Sequence, residues 1–134
     1  PVPAWARLSA LGSREAPQTA ARALLGPKAT DSHYAQLVRS IGALHKENYI
    51  KTLESAVPYD RQLPLESIGV PSLYLFGQHD PLCSPELGRE MAKRTPGGKF
   101  LEVRSTGHLI NIEQPEGFHH ATLDFLYDVE KSLV

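Results

Sequence analysis

The chain has 134 residues, with 14 Lys and Arg against 15 Asp and Glu and a formal net charge of −1. That length suits one domain with a real core, and a near-balanced charge with scattered basic residues excludes nucleic acid as an expected partner. One cysteine, Cys83, excludes an internal disulfide, and no apolar run approaches the ~20 residues of a membrane span, so no membrane partner is expected.

Residues 1–58 read as a helical layer. Ala20 to Leu25 is rich in helix formers and is closed by Gly26-Pro27. Thr30 or Asp31 caps the next helix, on which Tyr34, Leu37, Val38, Ile41 and Leu44 form one apolar stripe. That stripe, with Trp5, reads first as core packing and second as the lining of a substrate pocket. A third helix from about Lys46 carries Ile50, Leu53 and Val57 on one face and ends at Pro58. A boundary is expected between Tyr59 and Glu66.

From Leu63 the pattern changes. Val70-Pro71 leads into Ser72-Leu73-Tyr74-Leu75-Phe76, an apolar run of the kind buried on both faces of a parallel sheet, ending at Gly77. Ser84-Pro85-Glu86 supplies a cap, a first-turn proline and an acid, so a helix starts there, with Leu87, Met91 and Ala92 on its apolar side. Pro96-Gly97-Gly98 stops it, and Lys99 to Val103 reads as a second, alternating strand. Gln114-Pro115-Glu116 opens a last helix with Phe118, Ala121, Phe125, Val129 and Leu133 on its core side. The order is β-α-β-α, with a right-handed crossover expected.

This order gives two motifs a geometric meaning. Asp80, in Gly77-Gln78-His79-Asp80-Pro81, follows the first strand; His108, in Thr106-Gly107-His108, follows the second. Parallel strands deliver both loops to the same carboxyl edge, where open α/β folds place their sites. Neighbouring strands lie about 4.8 Å apart, so a carboxylate there reaches an imidazole with an ordinary hydrogen bond. Such a pair makes two-thirds of a nucleophilic triad, and no G-x-S-x-G or cysteine counterpart occurs in the chain. Taken alone, Asp-Pro is common turn chemistry and Gly-His in a loop is weak; their placement on consecutive strands carries the argument.

Other residues point elsewhere less well. Cys83 reads as a small buried hydrophobe, Ser84 as a cap and Ser105 as a turn residue. Adjacent His119 and His120 point about 100° apart on a helix, and no metal-binding spacing is present, so no metal and no organic cofactor are expected.

Val70-Pro71, the strand to Phe76, Gly77 to Leu82, Ser105 to His108 and the spacing on to Glu113-Gln114-Pro115 together resemble the C-terminal half of an α/β-hydrolase-fold enzyme. The preceding helices resemble the cap of the enol-lactonase, ring-cleavage-product hydrolase and esterase group, with Ala21 to Gly26, Tyr49 to Leu53 and Tyr59-Asp60 similar to that group. The resemblance implies an α/β fold, with a helical cap at 1–58 and a C-terminal core portion with a parallel β-α-β-α unit at 59–134. It implies Asp80 as the triad acid and His108 as general base, acting on a small ester, lactone or diketone-like substrate. The serine, its elbow and the oxyanion-hole amides would precede Pro1, so the chain alone is expected to be inactive.

Two alternatives stay open: a non-catalytic binding or regulatory protein on the same scaffold, and half of an enzyme completed by another chain. An acidic nucleophile in place of serine is a weaker variant of the enzyme reading. An unpaired edge at Leu73–Phe76 is expected to drive self-association. The start at Pro1-Val2-Pro3 leads to the expectation that the natural N-terminus lies elsewhere. With no basic-then-apolar leader at that start, a cytoplasmic location is the default expectation.

Overall fold

The structure, a computed structural model, describes residues 16–45, 47–48, 51–52, 55 and 64–132. Its elements are α1 (Ala16–Leu24), α2 (Asp31–Gly42), a 3₁₀ turn (Leu65–Ser67), β1 (Ser72–Gly77), α3 (Pro85–Arg94), β2 (Gly98–Val103), α4 (Ile110–Glu113) and α5 (Pro115–Ser132). Residues 47–48, 51–52 and 55 are helical as well, while Trp5, Tyr49, Ile50, Leu53, Val57, Tyr59, Asp60 and Leu133 lie outside the described residues. The chain divides into two compact units, Pro1–Ala23 with Thr30–Leu63 and Leu24–Ala29 with Pro64–Val134. The loop between α1 and α2 therefore belongs to the second unit.

In the first unit, α2 begins with a reciprocal cap. The His33 amide donates to Thr30 Oγ1 and the Thr30 amide to His33 Nδ1, both at 3.3 Å, which satisfies two otherwise orphaned donors. Leu37 is buried, with Tyr34, Val38 and Ile41 half-buried beside it. Arg22 of α1 stacks its guanidinium 4.9 Å from the Tyr34 ring centre. Leu44 departs from the expected stripe and is 53% exposed. The helix ends at Gly42 with Ala43 as its cap, so the 3.6-residue period no longer applies there.

The second unit is built on β1 and β2, which pair in parallel from Ser72 opposite Gly98 to Gly77 opposite Val103. β1 is half-buried along Ser72 to Phe76 rather than buried on both faces, because β2 is its one partner among the described residues. Between the strands, α3 starts at Ser84, whose hydroxyl accepts from the Leu87 amide at 3.4 Å, with Pro85 in the first turn. A cap of this type contributes about 1 kcal/mol.

Pro85, Gly88 and Ala92 are the buried positions of α3, and Gly88 sits beneath the rings of Phe76 and Phe100. Leu87, expected on the apolar side, is one position off that row and is exposed. One residue turns a helix by about 100°, enough to move a side chain from the core to water. At the end of α3, Thr95 Oγ1 donates to the Met91 carbonyl (2.9 Å) and thereby accepts from the Tyr74 hydroxyl (2.6 Å).

α5 presents Phe118, Ala121, Phe125 and Val129, each half-buried, while Leu123, Leu126 and Tyr127 are exposed. The short helix α4, with buried Ile110 and Glu113, has no counterpart among the elements expected from the sequence. Among the described residues no helix is long and apolar enough to cross a membrane.

Candidate active site at the carboxyl edge of the strand pair

The ladder between β1 and β2 continues into the loops that follow them. Gln78 donates its amide to the Val103 carbonyl (2.9 Å), and His79 donates to the Thr106 carbonyl (2.8 Å). These bonds tie the two loops together before either candidate side chain is reached. Gly77 ends β1 where backbone meets backbone, since a Cβ there would fall within contact of the Gly107 and Thr106 carbonyl oxygens.

Asp80 follows one tight turn later, its amide donating to the Gly77 carbonyl at 3.2 Å. Its Oδ1 accepts from the amides of Leu82 (2.8 Å) and Cys83 (3.0 Å), which fixes the carboxylate plane. Its Oδ2 is then presented to His108 Nδ1 at 2.8 Å. The Asp80 side chain is 6% exposed and the imidazole 36%. The structure thus brings together the two residues that the sequence selects. With Nδ1–H held by the carboxylate, a neutral ring carries its lone pair on Nε2, ready to accept a proton.

The loop that carries His108 is held from several sides. Ser105 takes a left-handed backbone angle (φ 60°), and its amide donates to Gln78 Oε1 at 3.0 Å. Thr106 is fully buried and donates its hydroxyl to the Val103 carbonyl at 2.8 Å. The His108 amide donates to the Leu24 carbonyl, also at 2.8 Å. Glu113, buried in α4, accepts from the amides of Gly107 (2.9 Å) and Gly26 (2.8 Å) through its two carboxylate oxygens. Sequence reasoning placed Glu113 only within a spacing. The available signal was an acid five residues beyond His108, with nothing local to show that it folds back.

The remaining candidates are engaged otherwise. Cys83 contributes its amide to Asp80, and burial, then the neighbouring Asp80 charge, push its thiol above the ordinary range. That makes it a poor thiolate. Ser84 is occupied as a helix cap, and the His119 ring lies tilted beside that of Phe118, with ring centres 6.1 Å apart. Among the described residues no group of three or more His, Cys, Asp and Glu is arranged to hold a metal ion.

Comparison with known proteins adds sequence and fold relatives to this geometry. The chain is 33% identical over 95 residues to carboxylesterase YbfK of Bacillus subtilis, covering 68% of this chain and 31% of that protein. The enol-lactonase of Burkholderia xenovorans LB400 superposes with a TM-score of 0.74 at 26% identity, over 92% of this chain and 50% of that one. A thermophilic esterase of Thermogutta terrifontis gives 0.77 at 23% identity, over 92% and 48%, and shares the fold. The chain spans about a third of the length of the curated relatives it matches and about half of these structures. The fold is therefore a partial α/β-hydrolase, helices followed by a parallel β-α-β-α unit. Since the family model for TAP-like proteins (Abhydrolase_4) matches residues 47–131, more than half of its length, the chain belongs to that α/β-hydrolase family.

Proposed function

We propose that this chain supplies the acid and the base of a Ser-His-Asp hydrolase acting on an ester, lactone or carbon–carbon bond in a small, largely apolar molecule. The observation that carries the reading is the 2.8 Å contact between Asp80 Oδ2 and His108 Nδ1 at the shared carboxyl edge of β1 and β2. In that role His108 Nε2 removes the proton of a serine hydroxyl as its oxygen attacks the substrate carbonyl. Asp80 stabilises the imidazolium, which then passes the proton to the leaving group. A water activated by the same nitrogen releases the acyl group.

The nucleophile comes from outside these 134 residues, which hold no G-x-S-x-G, and the oxyanion-hole amides come with it. Residues 1–58 serve as the cap segment in this reading. The esterase and lactonase names of the relatives support this substrate class.

A fluorophosphonate, which traps an activated serine, tests the proposal directly. The chain alone is expected to stay unlabelled, and the chain joined to its nucleophile-bearing segment is expected to be labelled, with the label lost in His108→Ala. Label on a residue of this chain, or persistent label in that variant, overturns the assignment.

In this reading the β1 edge opposite β2, unpaired among the described residues, is the seat of the completing strand. Without that strand the chain is expected to self-associate through the Leu73–Phe76 edge. Size-exclusion chromatography across a hundredfold dilution reads this, and a monomer at every concentration would remove the expectation.

A further inference from the structure

We infer that Glu113 is a positioning residue for His108, acting through the backbone of the loop that presents the imidazole. The inference rests on the reading of His108 as the base.

Glu113 is buried at 9% exposure, and its two carboxylate oxygens are divided between two amides that are far apart in sequence. One belongs to Gly107, the residue before His108; the other belongs to Gly26, in the loop after α1. The His108 amide itself donates to Leu24, two residues before Gly26. Gly107-His108 and Leu24–Gly26 are therefore joined by three bonds, two of which end on one side chain.

Space at the junction allows little alternative. A Cβ on Gly26 would stand 2.5 Å from the Gly107 nitrogen, and one on Gly107 would stand 2.6 Å from the Gly26 nitrogen. The segments meet backbone to backbone, and the Gly107 amide, buried at this junction, has no partner to replace Glu113 without parting them. The side chain chemistry matches the task. A carboxylate is acceptor-only and serves two N–H donors at once, whereas a glutamine of the same shape offers one acceptor and sets an NH₂ against the second amide.

α4 completes the device. The amides of Ile112 and Glu113 both donate to the Leu109 carbonyl at 3.0 Å, so the helix turns the chain back directly after His108. It thereby returns the carboxylate to the loop it left five residues earlier. The Asp80 bond fixes how the ring is rotated, and the Glu113 clamp fixes where the ring is anchored. Both are needed to keep Nε2 at one place.

The test uses the whole 134-residue chain with uniform ¹⁵N labelling and reads the His108 Nδ1–H proton and the backbone amides by NMR. In the wild type that proton is expected to be far downfield and slow to exchange. Asp80→Asn should erase it; if the signal survives, the Asp80–His108 reading fails, whatever Glu113 does. Glu113→Gln, chosen because it keeps shape and one acceptor, is expected to speed exchange of the His108 proton about tenfold while β1 and β2 amides keep wild-type protection. An unchanged His108 exchange rate in that variant overturns the inference. So does equal acceleration at every amide, which would make Glu113 a stability residue only.

Discussion

On the proposed triad assignment, replacing His108 with alanine is expected to lower kcat of the chain joined to its nucleophile-bearing segment by about a millionfold, the scale at which removal of a triad base leaves only binding and oxyanion stabilisation. Asp80→Asn should cost less, about 10⁴-fold, and for a reason visible in the contacts. Asparagine keeps an oxygen for the Leu82 and Cys83 amides, so the turn survives. Facing His108, however, it offers an N–H where the carboxylate offered a lone pair. The ring is then held in the tautomer with Nε2 protonated, which cannot accept a proton from serine. Steady-state kinetics on a chromogenic ester reads both values. Equal losses in the two variants would show that Asp80 does more than orient and stabilise, and near-normal turnover in His108→Ala would remove the base.

Gly77→Ala is expected to be the most damaging single methyl in the second unit, destabilising it by about 3 kcal/mol or more. The added carbon would collide with the Gly107 carbonyl oxygen, and the Thr106 carbonyl oxygen lies 2.8 Å from the same point. Those are backbone atoms of the loop that carries His108, so no side chain rotation relieves the clash. Either β1 retreats or the His108 loop moves, and the 2.8 Å bond to Asp80 suffers in both cases. Gly42→Ala makes the control, because nothing lies within 4 Å of a Cβ there and α2 should gain up to about 1 kcal/mol. Urea unfolding of the two variants reads the contrast, and equal midpoints would refute the steric argument.

The exposed ion pairs bear little of this load. Arg89 bridges Glu86 and Glu102, Arg94 meets Glu66 and Lys99 meets Asp128, with most of these side chains largely exposed to water. Pairs of this kind contribute little, and less as salt rises. The clamp around Gly77, Gly107 and Glu113 matters more because these residues are buried, and a polar group left unpaired there costs more than one facing water.

What the sequence determined by itself is whatever a few neighbouring residues decide. Thr30 and Ser84 start helices because their hydroxyls reach amides three residues on, and Gly26-Pro27 stops one because proline cannot continue it. The Asp80–His108 contact was legible for a related reason: a β-α-β unit leaves no freedom over which sheet edge its two strand ends share. Only the tertiary structure decided which apolar residues are covered and what anchors the His108 loop. Leu87 fits an apolar pattern yet stays exposed, because burial depends on which neighbour arrives at that face. Glu113 reads in sequence as an ordinary acid near a helix start. Its partner Gly26 lies 87 residues away, and a backbone amide leaves no mark on the sequence to announce the bond it will make.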